Sequence, residues 1–133
     1  MRYVTVEEVL RINEDILGPA SKLRDAGLLA AAVGRPELTV FGADAYPTLF
    51  DKVAALMESI SLNHAFMDGN KRTAVVATIH MLNWNGYDLL VDQMELVNAT
   101  MNVVEHRWDR EKLAEWLEEH TYPLDFSQVE EIE

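Results

Sequence analysis

The sequence predicts an all-α fold, a bundle of about six short helices with one short extended flap. Three observations carry this. Apolar residues recur at three- and four-residue spacing along most of the chain. Helix-opening patterns and Gly-Pro stops cut that periodicity into short segments. Only one stretch, Leu38 to Ala45, combines β-prone residues with a Gly turn. At 133 residues the chain has the length of one domain, with enough surface to bury a real core.

The elements follow in order. Thr5-Val6-Glu7-Glu8 reads as a capping box, in which the Thr hydroxyl takes an orphan amide and the Glu reaches back. Val6, Val9, Leu10, Ile12, Ile16 and Leu17 follow at helical spacing, and Gly18-Pro19 ends the run. Asp25 to Val33 is a short Ala- and Leu-rich helix closed by Gly34-Arg35-Pro36. The TVF run and Gly42 then suggest a flap or hairpin. Pro47 suits the first turn of the next helix, whose stripe is Leu49, Phe50, Val53, Leu56, Met57 and Ile60. Asn70 to Asn85 has no charge after Arg72 and stops at Gly86, the pattern of a central helix. Asp92-Gln93-Met94-Glu95 reads as a second capping box, opening a helix that runs to about Val104. Asp109 caps the last helix, with Leu113, Trp116 and Leu117 inward. Tyr122-Pro123 is expected to begin an irregular tail, so the domain is placed at 1–122 and an acidic C-terminal tail at 123–133.

There is no Cys, which excludes disulfides, thiolate metal sites and Cys nucleophiles. The start lacks the apolar run of a signal peptide, and no stretch has the roughly 18 apolar residues of a membrane span, so the expected compartment is the cytoplasm. Eleven basic against 23 acidic residues give a net charge of −12. Such a chain is repelled by nucleic-acid phosphates unless its few cations are concentrated in one place. The acidity is uneven: from Asp109 to Glu133, nine acidic residues against Arg110 and Lys112 give −7, the composition of a solvated face or tail.

The cations do concentrate. Between two apolar helices, Asn63 to Ala74 reads NHAFMDGNKRTA. Gly69 and Asn70 tolerate the turn conformations that aim successive amides at one point, and the next helix begins there with its own unpaired amides and positive dipole end. Lys71 and Arg72 add two full charges, and together these features make an anion site suited to phosphate. Asp68 beside it is a normal partner for Mg²⁺, which takes its other ligands from water and substrate phosphates. His64 is the group in the segment that gains and loses a proton near neutral pH, and so is the candidate general base. Phe66 reads as an anchor for the loop, while His80, His106 and His120 read as structural. P-loop, EF-hand and zinc patterns all fail on residue order or ligand count.

His64-Ala65-Phe66-Met67-Asp68-Gly69-Asn70-Lys71-Arg72-Thr73-Ala74 resembles the signature of the Fic/Doc superfamily, HxFx(D/E)GN(G/K)R. The Lys and the following Arg-Thr-Ala point to the Doc, or death on curing, branch. Phe41-Gly42, Tyr46-Pro47-Thr48-Leu49-Phe50 and Asn85-Gly86-Tyr87 extend the similarity to roughly residues 3–120. The resemblance implies a small helical domain with the signature loop leading into its central helix. It implies a toxin of a toxin-antitoxin system, a kinase that moves the terminal phosphate of ATP to a Thr of elongation factor Tu and blocks translation. A Phd-type antitoxin would neutralise it. By the same resemblance His64 is the base, Asp68 holds Mg²⁺, Gly69 and Asn70 form the anion-binding loop, and Lys71 and Arg72 grip phosphates. Residues about Leu38 to Tyr46 match the flap that lines up the target peptide.

Two departures separate this chain from the AMP-transferring Fic pattern. Lys71 stands where those members have Gly, and Val75 where they have a second Arg. Transfer of AMP is the alternative chemistry, and a non-catalytic anion-binding regulatory module the alternative class; the intact His64, Asp68 and Asn70 speak against the latter. Ser127 to Glu131 fits the first five positions of the inhibitory S/T-x-x-x-E-G/N pattern of some Fic proteins, and Ile132 breaks the last.

Overall fold

The computed structural model of the chain describes residues 1–124. Six α-helices form the bundle: α1 Val6–Leu17, α2 Ala26–Gly34, α3 Leu49–Asn63, α4 Asn70–Trp84, α5 Gln93–Val104 and α6 Arg110–Glu119. Two small antiparallel ribbons accompany them, β1 Thr39–Val40 with β2 Ala43–Asp44, and β3 Tyr87–Leu89 with β4 Thr121–Pro123. The all-α class and the flap at Leu38 to Ala45 are both present.

Local chemistry explains the boundaries. Thr5 accepts the Glu8 amide at 3.2 Å and Glu8 accepts the Thr5 amide at 3.0 Å, closing the expected box on α1. Asp25 and Asp109 accept the amides of Leu28 and Lys112, capping α2 and α6. Asp92 accepts the Glu95 amide at 2.8 Å, but the Glu95 carboxylate stands 4.0 Å from His120 Nε2 instead of closing a box. Pro47 lies before its helix rather than in the first turn. Thr48 takes the cap position with Asp51 as its reciprocal partner, and α3 starts at Leu49.

The centre of the core is α3. Val53, Ala54, Ala55, Leu56 and Met57 are all fully buried, so every side of this helix is covered. It packs on α2, α4, α5 and α6. α4 is also inside and presses Ala74, Ala77, Met81 and Leu82 into the core, but its Val75 and Val76 stay half-buried. Its charge-free run after Arg72 therefore reflects a buried stripe plus an apolar groove.

The C-terminal expectation needs correction. Tyr122 and Pro123 are not an irregular tail but part of β4, paired as Tyr87↔Pro123, Asp88↔Tyr122 and Leu89↔Thr121. Gly86, at φ 90, turns the chain out of α4 into β3, and the Leu124 amide donates to its carbonyl at 2.8 Å. A two-stranded ribbon is all edge, which is where a Pro without an N–H is tolerated. A boundary at 122 falls within this strand. The Ser127–Glu131 pattern and the rest of the acidic tail lie outside the described residues.

Candidate active site

The signature segment forms the corner between α3 and α4. α3 ends at Asn63, and His64 caps it in the left-handed conformation, φ 52 and ψ 44. A non-Gly residue there carries strain of roughly 1–3 kcal/mol and persists where its surroundings over-determine it. Those surroundings are visible. Phe66 is buried and anchors the loop as expected. Asn70 clamps it locally: its Oδ1 accepts the Phe66 amide at 3.0 Å and its Nδ2 donates to the Phe66 carbonyl at 2.9 Å. The segment before α2 runs alongside. The Arg24 and Asp25 amides both donate to the Ala65 carbonyl, the Met67 amide donates to the Lys22 carbonyl, and Leu23 forms a β-bridge with Phe66. Arg24 adds its side chain, with Nε donating to the His64 carbonyl at 2.7 Å.

The amino end of α4 is unlike the others. α1, α2, α3, α5 and α6 each have a Thr or Asp side chain capping an amide. α4 begins at Gly69, at φ 76, with no side-chain cap. The neighbouring Asp68 turns Oδ1 onto the Gly69 amide at 2.8 Å, ahead of the helix. The first-turn amides thus point outward without a side-chain acceptor, the arrangement that binds anions. A Cβ at position 69 would meet Asn13 Nδ2 and Leu17 Cδ1 at 3.2 Å, so the loop packs closely on α1 at Gly69.

Electrostatics sharpen the picture. Arg2, Arg35, Lys52, Arg107, Arg110 and Lys112 each pair with a carboxylate. Lys22, Arg24, Lys71 and Arg72, all around the corner, make no ion pair among the described residues. In a chain of net charge −12, four of the five cations without an ion pair among the described residues lie beside the loop; the fifth, Arg11, is on α1. Lys22 and Arg24 were not foreseen. They lie forty residues upstream and reach the corner through backbone pairing, which no local motif encodes.

Two further supports were also missed. Asn13 is fully buried on α1, where its Nδ2 donates to the Asp68 carbonyl and to Thr73 Oγ1, both at 3.1 Å, and its Oδ1 accepts from Ser21 Oγ at 2.5 Å. Its place in the apolar stripe, between Ile12 and Ile16, was the available signal. At the flap, the Lys52 side chain is 4% exposed and its Nζ donates to Asp44 Oδ2 at 3.2 Å and to the Tyr46 carbonyl. Arg35 donates to Tyr46 Oη at 2.8 Å and pairs with Glu58 at 2.9 Å. Burial works against its charge but is outweighed by those two partners, so its pKa is held above the ordinary value.

Among the described residues no three His, Asp or Glu side chains gather as a metal cage. Asp68 is a lone exposed carboxylate with one oxygen held by its own loop. That fits a hard cation that keeps waters and takes further oxygens from a bound phosphate, and does not fit an all-protein site. His64 is exposed and so accessible to an incoming hydroxyl. His64, Asp68, Gly69, Asn70, Lys71 and Arg72 all sit on this one corner, though the Asn70 side chain is spent on the loop itself. An apolar groove of about 320 Å³ opens from the corner between α1, α4 and α5, lined by Ile16, Val75, Leu96 and Val97, with Lys71 and Arg72 at its edge.

The chain is similar to known proteins. The pattern described as the Fic/DOC family matches residues 3–82. The toxin Doc of Mycolicibacterium smegmatis (strain ATCC 700084 / mc(2)155) is 47% identical over 106 residues, covering 79% of this chain and 82% of that protein. The protein kinase doc of Escherichia phage P1 is 28% identical over 104 residues, covering 76% of this chain and 81% of that one.

Proposed function

The chain belongs to the Fic/DOC family, and from that membership we propose that it is a Doc-like toxin, a kinase that transfers the terminal phosphate of ATP to a Thr or Ser hydroxyl of a protein and so blocks translation. The observation that carries this is the uncapped amino end of α4 beside the exposed, unpaired Lys71 and Arg72 and an accessible His. The curated names of the two relatives, a toxin and a protein kinase, support the same reading. Elongation factor Tu is the substrate that the resemblance implies.

In this reading His64 accepts the proton of the attacking hydroxyl. The α4 amides and Arg72 hold phosphate oxygens, and Lys71 supplies a point charge near the transferring group. Asp68 would hold Mg²⁺, which when bound neutralises charge on the nucleotide phosphates. Val75, which replaces the second Arg of the AMP-transferring pattern, lines the apolar groove and offers a phosphate nothing. That and Lys71 favour a nucleotide lying with its terminal phosphate toward His64. The groove beside Lys71 and Arg72 suits an amphipathic partner segment, which for a Doc-like toxin is a Phd-type antitoxin.

The test uses ATP labelled separately on its α- and γ-phosphates, with Mg²⁺ and elongation factor Tu. Label from the γ-position in protein, with ADP released, is the expected result. Incorporation of α-label replaces the kinase reading with AMP transfer. No label from either position leaves only a binding module.

A further inference from the structure

We infer that Arg24 is a positioning residue for His64, an assignment that rests on the transferase reading. The geometry is direct. His64 sits at φ 52, a conformation that is uncommon for a non-Gly residue and carries strain. No side-chain hydrogen bond fixes its ring among the described residues, so the direction of the imidazole follows from its backbone. That backbone is held from one side by Arg24: Nε donates to the His64 carbonyl at 2.7 Å, and the Arg24 amide donates to the next carbonyl, that of Ala65, at 2.8 Å. Two donors from one residue thus take consecutive carbonyls and fix the peptide plane that follows His64. The adjoining Leu23–Phe66 bridge sets the register of this grip.

The choice of Arg is explained by its shape. A guanidinium donates in a fixed plane and keeps its charge when partly desolvated, whereas a Lys ammonium on a flexible stem does not hold one orientation. Arg24 carries no ion pair among the described residues, so no carboxylate draws the fork away from the His64 carbonyl. A misplacement of about 1 Å at a reacting group can cost on the order of 10²-fold in rate.

Three variants separate positioning from charge. Arg24→Met removes the side-chain donor and the charge, Arg24→Gln keeps an amide donor without charge, and Arg24→Lys keeps the charge and displaces the donor; the backbone amide bond to Ala65 is common to all three. Each is compared with wild type for kcat and KM toward ATP in the γ-label assay, and for the backbone chemical shifts of His64, which report its left-handed φ. The expected result is a kcat lowered at least about tenfold in Arg24→Met with KM for ATP unchanged, partial rescue in Arg24→Gln, and shifts of His64 displaced in Arg24→Met in proportion. A KM for ATP that rises equally in Arg24→Gln and Arg24→Met makes Arg24 a phosphate-binding charge and overturns the inference. So do His64 shifts that stay at wild-type values in all three. The shifts are readable without any transfer activity, so an inactive wild type refutes the kinase reading and leaves the test of Arg24 intact.

Discussion

The side-chain amide of Asn13 reaches the Asp68 carbonyl at 3.1 Å across 55 residues of sequence. One buried side chain on α1 thus holds the loop at Asp68, the first turn of α4 at Thr73 and the turn after α1 at Ser21. Asn13→Ala strips partners from three groups at once. It should destabilise the protein by about 1–3 kcal/mol in urea unfolding. A loss below about 0.5 kcal/mol, the scale of ordinary surface changes, would show that water replaces the amide without penalty.

His64 is exposed and its imidazole makes no hydrogen bond among the described residues. His64→Ala should therefore leave the urea midpoint nearly unchanged while lowering phosphate transfer by about 10²–10⁴-fold. A well-folded variant that turns over at the wild-type rate sinks the base assignment.

Lys71 tests the orientation of the nucleotide. It is exposed and unpaired, so its removal costs the fold little. Lys71→Ala should depress γ-phosphate transfer strongly, since charge placed at a transferring phosphoryl group is worth several kcal/mol. Lys71→Gly restores the residue of the AMP-transferring pattern and should admit some α-label. Undiminished γ-transfer in Lys71→Ala removes Lys71 from the mechanism.

The flap offers an asymmetric prediction. Its strands pair only Thr39 with Asp44 and Val40 with Ala43, and all four residues are exposed. So small a ribbon is marginal by itself, and the buried Lys52 ammonium is what ties its root to α3. The Lys52 side chain is 4% exposed, that of Asp44 56%. Lys52→Met leaves Asp44 to water and should change global stability by less than about 1 kcal/mol, while amide exchange in residues 39–44 speeds up. Asp44→Asn leaves the buried cation poorly compensated and should cost about 1–3 kcal/mol. Equal costs for the two variants would mean that solvent reaches Lys52 in solution.

What the sequence disclosed and what it hid divide by range. Thr5 with Glu8 and Asp109 are legible because a cap and its helix lie within one turn of chain, whereas Asp25, read as the first helical residue, is the cap of α2. The signature corner is legible for the same reason: His64 through Arg72 are consecutive, and Gly69 announces its conformation. Thr48 escaped because Pro47 offered an equally good local start. The β3–β4 ribbon escaped because Tyr87 and Pro123 are 36 residues apart and each strand has three residues. Asn13, Lys22, Arg24 and Lys52 act through partners distant in sequence or through burial, and no spacing rule reports those. The groove escaped because the charge-free run after Arg72 reads as a central helix, while its Val75 and Val76 line a cleft.

The bare amino end of α4 has a thermodynamic consequence. A helix with Gly69 in place of a Thr or Asp cap forgoes roughly a few tenths of a kcal/mol of stability, so the folded state is slightly under-stabilised at the point where it can accept a ligand. Whatever anion fills that end and ignores the unfolded chain adds RT ln(1 + [L]/Kd) to the free energy of unfolding, about 2.7 kcal/mol at a hundredfold excess over Kd. The melting temperature of the protein then becomes a gauge of occupancy, readable in a fluorescence melt with no acceptor protein present and before any bond is made or broken.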